Sequence, residues 1–394
     1  MKRASLTSLV FILMNFVVAM SGMVLGGILD QVALSLGVPV EQAGLLNTMF
    51  SYGAALGVPV LLILLRGLRR GLMLKAMLAL SLLFTLLLVL AHSFEHLLLI
   101  RLLMGIVVNS YGAVAMSMAV AMAAPERQGR ALALYISGSS LALLVGLPLT
   151  RLLSSVLDWR SVFWILWGIM LLSLGYFHLA LPKEVQRPAR LRLNQELFYL
   201  RDRRTSLVLV YTLIMFTGSG ALYIFITPYL LTLFPALEPW MSLILLGLGL
   251  SSLLGNAIGG QVSDRIGYAK SMLLGGGLQL LCVALLLFSQ ASAALSVGFA
   301  LLWLMSVWFT GLQVNAGIVR ETNNKSSFML SLNGSAVQLG YALGSSIAAL
   351  IIASTGIQHV PLITLVTSLA ICGLQWYALN KLPPKKEVSD APHH

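Results

Sequence analysis

The stretch Leu72 to Ala91, "LMLKAMLALSLLFTLLLVLA", decides the fold class of this protein. Lys75 is its only charged residue. Its length matches the roughly 20 residues that a helix needs to cross the apolar layer of a membrane. The rest of the chain has the same character, because 58% of its 394 residues are apolar, 10% are charged and the mean hydropathy is +0.92. Such a composition excludes a soluble globular chain and indicates a membrane protein.

Apolar runs of this length recur along nearly the whole chain. In lipid the backbone N–H and C=O groups must form hydrogen bonds within the protein, which helices and closed β-barrels allow. The short alternating segments of a membrane barrel are missing from this sequence, so each apolar run predicts a helix. The sequence therefore predicts an all-α membrane protein with twelve transmembrane helices. We place these spans at approximately residues 6–29, 42–65, 72–91, 97–122, 131–153, 161–181, 206–229, 241–262, 271–289, 293–319, 327–354 and 360–380.

The basic residues predict the orientation of these spans. The N-terminus, the loops after even-numbered spans and the C-terminal tail hold all but three of the 25 Lys and Arg; the exceptions are Arg101, Arg151 and Arg160. Because cytoplasmic loops are enriched in basic residues, both termini are expected in the cytoplasm. Orientation and attraction to anionic membrane lipids explain the net charge of +12. We expect no nucleic-acid partner, since no basic face is interleaved with aromatic residues.

A basic, proline-containing stretch divides the chain into two sets of six spans. We assign residues 1–181 to an N-terminal half, 182–205 to a cytoplasmic linker, 206–380 to a C-terminal half and 381–394 to a cytoplasmic tail. The middle of the linker, residues 191–200, is predicted either as an amphipathic helix on the inner leaflet or as a solvated segment. Sliding the second half over the first places Asp264 on Leu65 and Gly344 on Gly146, which indicates a parallel repeat.

Four segments resemble known transporters. "GGQVSDRIGYAK" (259–270), "RLLMG" (101–105), "PERQGRALALYISGSSLALLVGLPLTRLLSSVLDWRSVF" (125–163) and "LDQVALSLGVPVEQAGLLNTMFSYG" (29–53) are similar to the major facilitator superfamily. The segment 125–163 resembles the fourth loop and fifth helix of its twelve-helix drug:proton antiporters, particularly the sugar and arabinose efflux branch. The resemblance implies two pseudo-symmetric six-helix halves that rock about a substrate site between them. It also implies efflux coupled to proton antiport.

The resemblance and the charge pattern together predict a gate on the cytoplasmic side. Asp264 and Arg265 lie in the loop signature after span 8, and Arg320 at the end of span 10 is the first choice of partner for Asp264. Arg127 or Arg130 is the second choice. Such contacts would close the cytoplasmic side and hold the outward-facing state; the alternative is ordinary loop capping. The corresponding first-half loop, "LRGLRR" (65–70), has bases but no acid.

A second predicted pair joins Asp30 and Arg101 near the outer ends of spans 1 and 4. A base inside a membrane span must find an acid, water or the interface, so the alternative is that both side chains reach the outer interface. All thirteen Asp and Glu lie in loops, tails or span ends. Asp30 is therefore the one carboxylate that we consider for proton coupling.

The candidate substrate-binding residues are neutral and hydrogen-bonding. Each could equally form a hydrogen bond between helices. Gly138, Gly146 and Pro148 are predicted to permit close packing or bending of span 5. The binding candidates on cavity-lining helices are Asn15, Asn109, Tyr111, Tyr211, Tyr223, Trp308, Gln313 and Asn315, and those on gate-type helices are Asn47, Asn256, Asn333 and Gln338.

Other chemistry has little support in the sequence. It contains no phosphate-binding loop, no cluster with metal-ligand spacing and no Ser-His-Asp arrangement, and Cys282 and Cys372 are interpreted as core residues. We therefore expect no enzyme, cofactor or metal. The preferred prediction is a monomeric exporter of a drug-like amphiphile, sugar or metabolite in the bacterial inner membrane. The alternatives are a proton-independent facilitator or uptake carrier of a neutral solute, and a non-transporting membrane receptor or assembly factor.

Overall fold

The computed structural model describes residues 2–64, 68–123, 128–180, 199–322 and 327–381, and all regular secondary structure within these ranges is helical. Twelve helices in them are long and apolar enough to span a membrane, which confirms the predicted fold class and span number. Residues 191–198 of the predicted linker helix, the loop at 65–67 and the tail beyond Lys381 lie outside the described residues. The helices of spans 1 to 4 and 6 to 12 are Lys2–Gly27, Val40–Leu64, Arg70–Leu90, Phe94–Ala121, Arg160–Ala180, Arg203–Ile224, Met241–Ile266, Tyr268–Phe288, Ala293–Glu321, Ser327–Thr355 and Val360–Lys381.

Span 5 is built from three pieces. The helix Gln128–Leu141 continues through a π-helical turn, Ala142–Gly146, into the helix Leu147–Val156. Pro148 is the second residue after the π turn, and because proline has no N–H and its ring crowds the preceding turn, a local widening of the helix accommodates it. The predicted bending element of span 5 therefore coincides with this π turn.

Short helices follow the first span of each half. A non-helical residue, Ile28 after span 1 and Phe225 after span 7, separates each span from the helix that follows it. These short helices are Leu29–Leu36 and Ile226–Leu233. Further 3₁₀ turns occur at Tyr199–Arg201, Pro235–Trp240 and Ile357–His359.

The packing of the helices repeats from one half to the other. Span 1 packs against spans 5 and 6, span 2 against span 4, and span 3 against spans 4 and 6. The same pairs recur six spans later, as 7 with 11 and 12, 8 with 10, and 9 with 10 and 12. One buried hydrophobic cluster lies within residues 11–177 and a second mainly within residues 208–371. The two halves are therefore pseudo-symmetric, as the sequence predicts.

Glycines permit close helix contacts in both halves. A Cβ added to Gly138 would collide with the carbonyl oxygen of Ile12, and one added to Gly344 would collide with that of Thr217. Gly146 packs against the Met20 side chain of span 1. The alignment of Gly344 on Gly146 stays a prediction.

The halves meet mainly where span 2 packs against span 11 and where the π turn and second helix of span 5 pack against span 8. Thr48 and Ser345 share a hydrogen bond of 2.7 Å between spans 2 and 11. At Gly249 in span 8 an added Cβ would contact the backbone of Leu143 at 2.6 Å, so the two backbones nearly touch. We call the end of the bundle at which span 1 ends the Asp30 face, and the end at which span 1 begins the basic face.

Candidate functional site

Arg151 joins the two halves at the Asp30 face. Its guanidinium donates to Asp30 Oδ1 and to Glu238 Oε1, each at 2.6 Å. Asp30 belongs to the short helix after span 1, whereas Glu238 precedes span 8 in the second half. The Arg151 side chain is 3% exposed, and those of Asp30 and Glu238 are 23% and 54% exposed. We name these three residues the Arg151 bridge, because one buried cation holds a carboxylate from each half.

Local structure explains how the bridge forms. Asp30 lies in the first turn of Leu29–Leu36, where the exposed amides of a helix N-terminus favour an acid. Arg151 lies in the first turns of Leu147–Val156, directly after the π turn. The 3₁₀ turn Pro235–Trp240 brings Glu238 to the same end of the bundle. Three breaks in regular α-helix therefore position the three charged groups.

The predicted pair of Asp30 with Arg101 is wrong. The fully buried Arg101 donates instead to Leu46 O at 3.1 Å, Ser21 O at 2.7 Å and Asn47 Oδ1 at 3.1 Å. Its guanidinium also lies 4.4 Å from the centroid of the Phe50 ring.

Three oxygen acceptors and an aromatic face stabilise this cation without a carboxylate. The alternative, in which both side chains reach the interface, is also wrong for Arg101 because it is fully buried. The break at Ile28 separates Asp30 from span 1, so Asp30 reaches Arg151 instead.

The structure does not bring the predicted cytoplasmic gate together. Asp264 and Arg265 are exposed in the last turn of span 8, and within the described residues Asp264 forms no ion pair. Asp264 cannot cap a helix start either, because span 9 begins only at Tyr268. Arg127 and the side chain of Arg130 lie outside the described part of the structure.

Glu321 occupies the buried side of the basic end of span 10, so the neighbouring Arg320 is turned outward and does not meet Asp264. The buried Glu321 carboxylate accepts a short hydrogen bond from the Tyr268 hydroxyl and lies 3.9 Å from the Arg204 guanidinium. The sequence reading missed Glu321 because an acid at a span end looks solvent-exposed.

One group of the neutral candidates serves to hold helices together within one half. Asn15 donates to Tyr135 O at 2.7 Å, Tyr211 to Met272 O at 3.0 Å, and Gln313 to Gly259 O at 2.7 Å. These contacts agree with the alternative interpretation of an interhelical hydrogen bond. Two further candidates, Tyr111 in the first-half core and Asn47 on Arg101, are also buried within their half.

One pair of candidates lies between the halves. Gln338 in span 11 donates to Asn109 Oδ1 in span 4 at 3.3 Å, so these amides meet across the interface. Two other candidates join helices within the second half. Asn315 in span 10 accepts from Asn333 in span 11 at 3.1 Å, and Thr212 in span 7 donates to Asn333 at 2.7 Å. Asn256 is partly exposed on span 8.

A narrow cleft between the halves lies close to the Arg151 bridge. We call it the central cleft. Leu147 in its wall is one helical turn from Arg151, and Leu304 is one turn from the partly exposed Trp308. Six of its lining residues are Gly26, Leu143 and Leu147 from the first half and Tyr223, Leu245 and Leu304 from the second.

Two aromatic residues that the sequence reading missed extend this region. The rings of Phe216 in span 7 and Tyr341 in span 11 lie 5.5 Å apart at their centroids, and both residues are partly exposed. Gly311 faces Phe216 from span 10, one turn from Trp308. Tyr341 lies one turn from Gln338, so this aromatic pair of the second half lies near the amides that meet across the interface. Helix rotation brings Phe216 and Tyr341 there, and the sequence contains no signal that distinguishes them from core aromatics.

Comparison with known proteins agrees with this architecture. The family model of the Major Facilitator Superfamily matches residues 11–322. The chain is 27% identical over 352 residues to the uncharacterized MFS-type transporter YbcL of Bacillus subtilis (strain 168), covering 88% of this chain and 89% of the relative.

Two further relatives are similar over most of their length. A probable sugar efflux transporter of Helicobacter acinonychis (strain Sheeba) is 24% identical over 379 residues, which is 95% of each chain. The inner membrane transport protein YdhP of Escherichia coli (strain K12) is 26% identical over 352 residues, 88% of this chain and 89% of the relative. With twelve spans in two pseudo-symmetric halves and a match across most of its length, the chain belongs to the major facilitator superfamily and is a multi-pass membrane transporter.

Proposed function

We propose that this protein exports a small, uncharged organic solute from the bacterial cytoplasm across the inner membrane. The observation that carries this proposal is the hydrogen bond between Asn109 and Gln338, which puts neutral amides from both halves at one interface. A solute that satisfies these amides would contact both halves at once. Alternating access needs a site that the halves share, and these amides meet that requirement.

The side chains around the central cleft favour a solute with hydroxyl groups and an apolar face. Amides supply both donors and acceptors, whereas Trp308, Tyr223 and the Phe216–Tyr341 pair supply flat apolar surfaces. A sugar or a sugar-containing amphiphile has both features. The relative named as a probable sugar efflux transporter supports this choice of substrate class.

The Arg151 bridge supports a direction of movement. The Lys and Arg distribution predicts that the basic face is cytoplasmic and the Asp30 face periplasmic. In the conformer described here, the bridge holds the halves together at the Asp30 face. An exporter would load its solute from the basic face and release it after the bridge separates. The relative named as an inner membrane transport protein supports the proposed location.

Proton-independent facilitation of the same solute is the second candidate. Within the described residues, the lining of the central cleft contains no Asp, Glu or His. A proton antiporter needs a group that titrates differently in its two facing states. Asp30 remains the sequence candidate for that group, and it is already bound to Arg151. Proton antiport would therefore have to act through the Arg151 bridge.

Counterflow in proteoliposomes tests the proposal. Replacing Asn109 and Gln338 together by Leu is expected to lower kcat/KM for a labelled neutral sugar at least about tenfold, because two solute hydrogen bonds are lost. Asn380→Leu is the matched control, since Asn380 is an exposed amide at the basic end of span 12. The assay is run with a panel of sugars, sugar-linked amphiphiles and an organic cation.

Counterflow of a sugar or sugar-linked amphiphile by the wild type, lost in the double variant but kept in Asn380→Leu, would support the proposal. Preference for the organic cation would contradict the substrate class. No flux of any member of the panel would favour the non-transporting receptor or assembly factor. Accumulation driven by an imposed pH gradient would indicate antiport, and equilibration without accumulation would indicate the facilitator.

A further inference from the structure

We infer that the protein binds an anionic phospholipid in a recess between spans 7, 9 and 12 at the basic face. The recess is shallow and open to its surroundings. It combines a basic side chain, two polar groups and an apolar wall. Its lining includes Arg204, Leu207, Tyr268, Gln375, Ala378 and Leu379.

Aromatic residues indicate the depth of this recess in the membrane. Trp376 and Tyr377 are 60% and 47% exposed, and they lie on span 12 between the lining residues Gln375 and Ala378. Exposed Trp and Tyr concentrate at the membrane–water interface, where their rings sit at headgroup level. Span 12 ends only a turn later, at Lys381. The recess therefore lies where a lipid phosphate lies.

The charges around the recess favour an anion. Arg201, Arg203, Lys270 and Lys381 are exposed, and each lies within three residues of a lining residue. The nearby acids are engaged by the protein. Asp202 accepts from the Thr205 hydroxyl at 2.8 Å, and Glu321 is contacted by Tyr268 and Arg204. A guanidinium has five N–H donors on a planar fork, so Arg204 can contact a carboxylate and a phosphate at the same time.

The apolar wall distinguishes a phospholipid from a free phosphate ion. Leu207, one turn further along span 7 than Arg204, and Ala378 and Leu379 on span 12 form this wall. An acyl chain lying along this wall would bury apolar surface of both the lipid and the protein. A soluble phosphate would use only the rim. Basic recesses between spanning helices are suited to anionic lipid headgroups, and this recess has both the basic rim and the wall that a lipid needs.

Native mass spectrometry and thermal unfolding of the full chain in dodecyl maltoside test the inference. Phosphatidylglycerol is expected to bind at least about fivefold more tightly than phosphatidylcholine and to raise the unfolding temperature in a saturable manner. Ala378→Phe, which fills the recess without changing any charge, is expected to abolish this preference. Ala370→Phe is the matched control, because Ala370 is exposed on the same helix outside the recess. Arg204→Gln is compared in the same way with Arg69→Gln, because Arg69 is an exposed base at the basic face of the first half, outside the recess.

Loss of the preference in Ala378→Phe and Arg204→Gln, with both controls unchanged, would support the site. Equal binding of the two lipids would overturn it, and so would an unchanged preference in Ala378→Phe. Inorganic phosphate is a separate titration. A stabilisation by phosphate alone as large as that by phosphatidylglycerol would overturn the assignment to a lipid. If Arg204→Gln fails to fold after losing its contact with Glu321, Ala378→Phe still decides the result.

Discussion

Arg151→Gln is expected to open the Asp30 face and to raise the labelling rate of a cysteine at position 33 by about 30-fold. Ala33 is 4% exposed and packs in the hydrophobic cluster of the second half, although it belongs to the first. It becomes accessible only when the halves separate at this face. The measurement uses Ala33→Cys in a Cys282→Ser, Cys372→Ser background and a membrane-impermeant maleimide.

The magnitude follows from the burial of the three charges. Glu238 is 54% exposed, so its contact with Arg151 contributes at most about 1 kcal/mol. Asp30 is 23% exposed and Arg151 only 3%, so loss of the cation leaves a partly buried carboxylate without its counter-ion. Losing both contacts should cost the closed conformer about 2 kcal/mol, which is a shift of about 30-fold in the equilibrium.

Arg160→Gln is the matched control. Arg160 lies at the same face and approaches Asp158 at 3.7 Å, but both residues belong to the first half. This variant should label Ala33→Cys at the wild-type rate. Labelling of Arg151→Gln at the wild-type rate would contradict a gating role for the Arg151 bridge.

Arg101→Lys is expected to destabilise the protein by about 3 kcal/mol although the charge is kept. A lysine ammonium cannot reproduce the planar fork that reaches Ser21 O, Leu46 O and Asn47 Oδ1 at once. At least one buried acceptor is then left unsatisfied, and the contact with the Phe50 ring weakens. For a chain of 394 residues such a loss corresponds to a fall of about 4 °C in Tm. A thiol-reactive dye measures Tm through Cys282 and Cys372, which are free.

Combining Arg101→Lys with Asp30→Asn tests whether Asp30 interacts with Arg101. If Asp30 were the partner of Arg101, the two substitutions would be strongly non-additive in a double-mutant cycle. In the structure Asp30 and Arg101 belong to separate clusters of contacts, so the effects of the two substitutions on Tm should add. A Tm of Arg101→Lys within about 1 °C of wild type would contradict the stabilising role of the Arg101 contacts.

The spans could be predicted from sequence because the membrane leaves the backbone few options. Segments such as Leu72 to Ala91 must be helical to satisfy their amides in an apolar medium. Their number, and the division into two similar halves, followed from this constraint and from repeated motifs. The π turn at Ala142–Gly146 could not be predicted, because hydropathy does not distinguish it from regular α-helix.

The contacts of the charged residues depended on features that hydropathy does not report. Asp30 was paired with Arg101 because their spans neighbour each other, but a single non-helical residue, Ile28, moves Asp30 onto a separate helix. Arg151 was noted only as a base on the outer side. The two carboxylates that contact Arg151 come from distant segments of the chain. They come close to Arg151 only because of the way in which the two halves pack together.

The rotation of each helix about its axis explains why only some of the neutral substrate-binding candidates line the interface between the halves. Trp308 and Gln313 lie on the same span, five residues apart. Gln313 is fully buried against Gly259, whereas Trp308 is partly exposed one turn from the cleft residue Leu304. Each residue of a helix is rotated by about 100° from the last, so small errors in span rotation exchange such roles. Single-sequence reasoning has no means to fix that rotation when apolar residues surround the whole helix.

Separation of the halves at the Asp30 face during each transport cycle is the central claim, and a reversible cross-link tests it most directly. Thr48 and Ser345 lie on opposite halves with their hydroxyl oxygens 2.7 Å apart, so cysteines at both positions are close enough for a disulfide. The measurement is counterflow of the labelled sugar by Thr48→Cys/Ser345→Cys in the cysteine-free background, before oxidation, after oxidation and after reduction. Each single-cysteine variant is the control. We predict that oxidation stops transport and that reduction restores it, whereas undiminished transport by the cross-linked protein would contradict the account.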